Sequence, residues 1–132
     1  MKYLLSLIGD ESRFADMTPE EQSESMKAWD AYTRATIDAG VHLGGEGLQP
    51  SSTATTVGIR VNGETIVTDG PFAETKEALG GFYVIECGSI EEALEWAAKV
   101  PSAEHGSTEV RPVIDYEAVT SGNSQSPAEA QS

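Results

Sequence analysis

Segment 69–87 reads DGPFAETKEALGGFYVIEC, and it decides how the rest of the chain is interpreted. Gly70 permits backbone angles that other residues avoid, and Pro71 fixes φ and removes a hydrogen-bond donor. Phe72 adds a large apolar side chain to a loop that also carries four ionisable groups: Asp69, Glu74, Lys76 and Glu77. Two interpretations stay open. The loop is either a capped crossover in which Phe72 fills the core, or a site, since binding groups often lie on loops held by a rigid scaffold.

A β-hairpin is expected immediately before this loop. Residues 53–61 and 64–68 alternate between apolar and polar side chains, which is typical of strands. Asn62-Gly63 between them predicts a two-residue turn of type I′. The return strand ends at Asp69, so the hairpin would serve as an arm that positions the loop.

Two helices are predicted from their capping sequences. Thr18 is the N-cap of the first, with Pro19 at its first position and Glu21 closing a capping box, and this helix ends at Gly40. The second begins at Ser89 in the same pattern and ends before Pro101. Helical spacing predicts a core-facing stripe in each helix: Met26, Trp29, Thr33 and Ile37, then Ile90, Leu94 and Ala97.

Apolar runs at 2–8 and 82–87 and an alternating stretch at 109–115 predict three further strands. Pro112 cannot donate to a strand ladder, which places the last strand at an edge or beside a bulge. The order β-α-hairpin-β-α-β predicts an α+β fold, the ferredoxin-like split βαβ with an extra hairpin. Its sheet would have one uncovered face, and packing against a second such sheet would cover it.

Composition indicates one domain at 1–117 and a disordered tail at 118–132, where Ser, Gly, Gln, Pro and Ala dominate. The net charge of −14 opposes binding to nucleic acids and to anionic membranes. The lone Cys87 agrees with a reducing cytoplasm. The apolar N-terminus is followed by Gly9-Asp10-Glu11 rather than a cleavage site, and no stretch approaches the length of a membrane span.

Four motifs together resemble the DGPF branch of the YCII-related family: DGPFAETKE at 69–77, GGFYVIE at 80–86, EALEWA at 92–97 and EVRPV at 109–113. The resemblance implies a bacterial protein that forms a homodimer, a dimeric α/β barrel. It implies no particular activity, since most relatives have none assigned. Some relatives are joined to, or encoded near, sigma factors of the extracytoplasmic-function type.

The candidate catalytic residues are Asp69 and His42. Asp69 is either an acid or base partly desolvated beside Phe72, or a cap that accepts from the backbone of its own turn. His42 lies among glycines 44, 45 and 47 and is either a hydrogen-bonded structural group or a functional one. The resemblance implies a His-Asp pair in which Asp69 matches the acid. The family's His lies on the first helix, which has none here, and His42 follows that helix.

The candidate ligand-binding residues are Phe72, Glu74, Lys76, Arg60 and Arg111. Phe72, Glu74 and Lys76 would form a small cleft with an apolar wall, a carboxylate and a cation. Lys76, Arg60 and Arg111 either form an anion pocket or pair with Glu74, Glu77 and Glu109. No cofactor is expected. No metal is expected either, because two histidines and one cysteine lack ligand spacing.

Two functions follow as hypotheses. The first is a dimer that binds a small molecule, or a small enzyme, with Asp69 as acid or base. The alternative is a non-catalytic interaction module whose acidic surface docks a basic protein such as a sigma factor.

Overall fold

The computed structural model describes residues 1–121. The elements in chain order are β1 Lys2–Asp10, α1 Ser12–Ala15, α2 Pro19–Asp38, β2 His42–Gly47, a 3₁₀ turn Ser51–Thr53, β3 Thr55–Ile59, β4 Thr65–Asp69, β5 Glu77–Glu86, α3 Ile90–Ala98, β6 Ser107–Pro112 and α4 Tyr116–Ser121.

The main sheet has four antiparallel strands in the order β2-β5-β1-β6. An antiparallel sheet packed against helices confirms the predicted α+β class. Alternation along β1 and β5 sends one set of side chains toward the helices and the other to the open face. The helix-side set forms the core with residues of α2 and α3: Tyr3, Leu5, Tyr83 and Ile85. Pro112 lies on the edge strand β6, where the missing N–H costs no ladder bond, so that prediction is confirmed.

The capping box of α2 is confirmed. Thr18 Oγ1 accepts from the backbone N of Glu21 at 3.1 Å, and the Glu21 carboxylate accepts from the backbone N of Thr18 at the same distance. The predicted core stripe is right at Trp29 and Thr33 but wrong at Met26 and Ile37, which are 65% and 54% exposed. The buried face instead follows 29, 32, 33 and 36, because Tyr32 and Thr36 find hydrogen-bond partners inside.

Helix α3 also begins as predicted, with Ser89 Oγ accepting from the backbone N of Glu92 at 3.2 Å. Its box differs, because the Glu92 carboxylate accepts from Gly88 rather than from Ser89. The predicted stripe is right at Ala97 but wrong at Ile90 and Leu94, which are exposed. Ala93 takes the inner position, so two small side chains let the helix lie close to the sheet.

Strands β3 and β4 form a separate two-stranded sheet, here called the arm. The predicted type I′ turn is wrong, because among residues 1–121 only glycines have positive φ, so Asn62 does not. The backbone N of Gly63 donates to the backbone oxygen of Arg60 at 2.8 Å, and φ of Gly63 is +87°. This is the wider loop in which a left-handed glycine follows an ordinary turn.

The predicted tail at 118–132 begins inside helix α4, which runs to Ser121. Residues 122–132 lie outside the described residues, so their disorder stays a prediction. Within the described part of the chain, no helix combines the length and apolar character needed to cross a membrane.

Candidate functional site

A cavity of about 570 Å³ lies between the main sheet and helix α2. Its walls come from the C-terminal half of β1, the N-terminal half of β5, strand β2, helix α1 and the loop 101–106. With the residues from α2, the lining comes from five stretches of the chain: 7–17, 25–33, 42–47, 78–83 and 101–106.

Glycines form part of the cavity wall on the sheet. Strand register pairs Gly45 with Tyr83 and Gly47 with Gly81, and all three glycines line the cavity. A Cβ on Gly45 would lie 2.5 Å from the backbone oxygen of Phe82, and one on Gly81 would lie 2.9 Å from that of Glu46. Strands β2 and β5 can approach this closely only because Gly45 and Gly81 have no side chains. The missing side chains also leave open space above the sheet. A register shift between His42 and Gly44 marks a bulge in this glycine-rich stretch.

Aromatic side chains from α2 and from β5 form another part of the cavity wall. Trp29 stacks on Tyr83 with ring centroids 6.3 Å apart and planes 13° apart. The Tyr83 hydroxyl shares a hydrogen bond of 2.7 Å with Thr33 Oγ1, which fixes the ring. Phe14 from α1 and Phe82 from β5 are further aromatic lining residues. This wall suits the flat, apolar face of a ring compound.

His42 lines the same cavity, and its tautomer follows from its hydrogen bonds. The Thr36 hydroxyl is 2.6 Å from the backbone oxygen of Thr33, which can only accept, so the single hydroxyl hydrogen is used there. Thr36 Oγ1 also lies 3.1 Å from His42 Nδ1, and it must therefore accept from Nδ1–H. In the neutral imidazole Nε2 then carries the lone pair. Nε2 makes no hydrogen bond to any residue between 1 and 118.

The mouth of the cavity is polar. Asp10, Arg13 and His105 line it, so both histidines of the chain border one cavity. Hydrogen bonds from the Ser12 hydroxyl and backbone N lower the pKa of Asp10, and the charge of Lys76 lowers it further. The anionic carboxylate of Asp10 and the cationic side chains of Arg13 and Lys76 therefore lie near the entrance.

Glu11 connects the entrance to the base of the arm. Its carboxylate accepts from the backbone N and from the hydroxyl of Ser51, each at 2.6 Å. The backbone N of Leu48 donates to the backbone oxygen of Gly80 at 2.9 Å. The chain is therefore held to the main sheet just before the arm begins.

The structure brings only part of the predicted site to this cavity. His42 lines it, and Lys76 borders an adjoining open depression that shares Asp10, Arg13 and His105 with it. Asp69 and Glu74 line neither space. The loop cleft of Phe72, Glu74 and Lys76 thus stays a prediction.

The structure does not support the purely structural interpretation of the loop, in which Phe72 fills the core and Asp69 caps the turn. Phe72 does not fill the core, since it is 93% exposed: the loop follows the arm, which lies outside the main sheet. Asp69 makes no side-chain hydrogen bond to any described residue, so its carboxylate does not cap the turn. Arg60 lies at the far end of the arm, and Arg111 pairs with Glu109 on exposed β6.

The sequence reasoning missed Thr36, Tyr83 and His105 as site residues. The sequence did contain one signal for the cavity. Glycine pairs at 44–45 and 80–81, in two different strands, indicate sheet positions without side chains, where a ligand or another backbone can approach closely. The pairing of β2 with β5 that brings these glycines together has no local signature.

A four-stranded antiparallel sheet with helices on one face defines a small ferredoxin-like α+β domain, here with a cavity containing a histidine. The chain belongs to the YCII-related family, since the model of the YCII-related domain matches residues 1–117. It is 42% identical over 118 residues to an uncharacterized protein of Rhizobium meliloti (strain 1021), covering 88% of this chain and 94% of that protein.

One solved structure shares the fold at low identity. It is the 5-chloro-2-hydroxyhydroquinone dehydrochlorinase TftG of Burkholderia phenoliruptrix AC1100, in complex with 2,5-dihydroxybenzoquinone. The TM-score is 0.51 and the identity 16%, over 89% of this chain and 98% of that one. At this identity the likeness shows the fold alone.

Proposed function

We propose that this protein binds a small hydroxylated ring compound in the cavity beside His42, and that Nε2 of His42 accepts a proton from it. The observation that carries the proposal is the hydrogen-bond chain from His42 Nδ1 through Thr36 Oγ1 to the backbone oxygen of Thr33. It fixes the ring and leaves the basic nitrogen unbonded at a ligand-sized cavity.

The chemistry suits a weakly acidic hydroxyl on a flat ring. Histidine serves as a general base near neutral pH when its lone pair lies within hydrogen-bond reach of the acidic proton. The stack of Trp29 and Tyr83 offers the ring a flat apolar surface. The structural neighbour binds 2,5-dihydroxybenzoquinone, which is also a flat hydroxylated ring although more acidic, and this supports the proposal at the level of a shared fold.

Proton transfer also needs a way to stabilise the anion that forms. Lys76 and Arg13 lie around the adjoining depression and supply cationic groups near the entrance. Asp69, Phe72 and Glu74 would enter such a site only from a second copy or after movement of the loop. Arg60 and Arg111 would contribute under the same condition, and Arg111 would first have to leave Glu109.

The working state in this proposal is a cytoplasmic homodimer joined through the open face of the main sheet. Strand register places Leu4 opposite Val84, and both are half-buried in the single chain. An apolar sheet face of this kind is stable in water when a second sheet covers it. The buried thiol of Cys87 is compatible with a reducing compartment.

The alternative is an interaction module that docks a basic partner on the acidic surface. It assigns no role to the fixed tautomer of His42, so the His42 cavity distinguishes the two functions. Binding of a basic protein that weakens with ionic strength, without any ligand in the cavity, would favour this alternative.

The test is thermal melting with catechol, 4-nitrophenol and 2,5-dihydroxybenzoquinone. At least one compound should raise the melting temperature of the wild type, because a ligand that binds only the native state stabilises it. His42→Gln should lose that shift. Lys27→Gln, on the exposed side of α2, is the matched control and should keep it. No shift with any compound, or an equal shift in His42→Gln, would contradict the proposal.

A further inference from the structure

The arm carries an apolar face that nothing in the described chain covers. Strand register places Val57 opposite Val67 and Ile59 opposite Thr65, so Val57, Ile59 and Val67 share one side of the two strands. Their exposed fractions are 59%, 74% and 63%. These three residues are called the arm face below.

The opposite side of the arm is different. Thr56 and Ile66 are half-buried there, and the Thr56 hydroxyl donates to the backbone oxygen of Gly70 at 2.8 Å. This side of the arm is therefore partly covered, in part by the arm's own backbone, while the arm face is directed to solvent. A two-stranded hairpin is marginally stable in water unless its apolar face packs against something.

We propose that the arm face docks on a second copy of this chain. The charge distribution favours that occupant. The only charged residues in segment 55–69 are Arg60, Glu64 and Asp69, so its net charge is −1, whereas that of the whole chain is −14. Two copies of so acidic a protein repel each other least where they meet at their weakly charged segments. This inference shares only the homodimer with the proposed function and does not depend on the ligand site.

The exposed apolar area is of the right order for an interface. Val61, at 110% exposure, lies at the end of the arm, and Phe72, at 93%, follows it in the loop. With the arm face they expose on the order of 600 Å² of side chain, against roughly 800 Å² per partner in a standard interface. The open face of the main sheet would supply the remainder. Docking would also bring Phe72 and Asp69 to the surface of the second copy.

The test compares lysine substitutions on the two sides of one strand by analytical ultracentrifugation across a wide concentration range. Val67→Lys places a charge in the arm face, whereas Thr68→Lys places it on the other side of β4. Each lowers the net negative charge to −13, so general repulsion cannot explain a weaker dimer. The wild type and Thr68→Lys should sediment as dimers of about twice the 14.0 kDa chain mass, and Val67→Lys should dissociate at least tenfold more readily.

A third variant separates this inference from the proposed sheet-face dimer. Val84→Lys places a charge on the open face of the main sheet. If Val84→Lys weakens the dimer and Val67→Lys does not, the sheet-face dimer stands and the arm inference is overturned. A monomeric wild type overturns both.

Folding of the variants needs its own readout. The near-ultraviolet circular dichroism of the Trp29 and Trp96 cluster reports whether the main domain is intact. If Val67→Lys fails to fold, amide hydrogen exchange of β3 and β4 in the wild type replaces it. Protection should then rise with protein concentration, and protection independent of concentration overturns the inference.

Discussion

His42 Nδ1 lies 3.1 Å from Thr36 Oγ1, and the Thr36 hydroxyl donates to the backbone oxygen of Thr33 at 2.6 Å. Thr36 is fully buried within α2, so the acceptor that orients the histidine belongs to a rigid part of the fold. Thr36, a buried polar residue on α2, thus has a definite role, since it sets which ring nitrogen of His42 is basic. The proposed chemistry depends on this arrangement.

Replacing Thr36 with Val should remove that control. The side chain keeps its shape, but Nδ1–H loses its acceptor in a partly buried place, which lowers the free energy of unfolding by about 1–3 kcal/mol. Urea unfolding measures this loss, and nitrogen-15 NMR of the imidazole should show a mixture of tautomers. Thr33→Val is the control, because it removes the Tyr83 partner but keeps the backbone oxygen that holds Thr36. An unchanged His42 tautomer in Thr36→Val would contradict the account.

The glycines of the cavity wall should differ in their tolerance of alanine. A Cβ on Gly45 would meet the backbone oxygen of Phe82 at 2.5 Å, whereas one on Gly47 has nothing within 4 Å. Gly45→Ala should therefore lower the free energy of unfolding by roughly 1–3 kcal/mol. Gly47→Ala should change it by less than about 0.5 kcal/mol. Equal effects of the two substitutions on the free energy of unfolding in urea would show that the close approach of Gly45 to the backbone of β5 does not exclude a side chain there.

Tyr32 should make the protein less stable at alkaline pH. Burial raises its pKa, with a smaller contribution from Tyr83, and its hydroxyl donates to the backbone oxygen of Trp96 at 2.8 Å. Above about pH 10 the unfolded tyrosine ionises while the folded one keeps its proton, so stability falls as pH rises. Below that pH this contribution is constant.

The matching variant is Tyr32→Phe. It should cost about 1 kcal/mol at neutral pH through loss of the hydrogen bond to Trp96. Its unfolding free energy should then decline less steeply than that of the wild type between neutral and alkaline pH. A parallel decline in both proteins would show that other groups dominate the alkaline limb.

Asp69→Asn separates a ligand role from a structural one. The carboxylate makes no hydrogen bond to residues 1–118, so the substitution should change the free energy of unfolding by less than about 0.5 kcal/mol. If Asp69 reaches a ligand, the ligand-induced rise in melting temperature should be smaller than in the wild type. Glu64→Gln, also on the arm, is the control and should match the wild type. A large loss of stability in Asp69→Asn would make the residue structural.

The sequence predicted the order of the elements because their signals are local. The boxes at Thr18 and Ser89 and the alternation of 53–61 each act within a few residues. The buried face of α2 was predicted correctly at Trp29 and Thr33, but apolarity alone wrongly favoured Met26 and Ile37. The structure buries Tyr32 and Thr36 instead, since the sheet and α3 supply hydrogen-bond partners that no local pattern reveals.

The cavity could not be predicted for a similar reason. His42 and Tyr83 are far apart in sequence, and they line one space only because β2 pairs with β5. The loop at 69–77, in contrast, drew attention through its composition. The structure places Phe72 in solvent, so its side chain does not contribute to the core of the single chain.

The absorbance spectrum of bound 4-nitrocatechol tests the central claim most directly, since the neutral and ionised forms of this ring differ in colour. The measurement is made about one unit below the ligand's own pKa, where free ligand is mostly neutral. Wild-type protein should convert the bound ligand to its ionised form with His42 Nε2 as proton acceptor, and His42→Gln should not. Bound ligand that stays neutral in the wild type, or ionises equally in His42→Gln, would contradict the account.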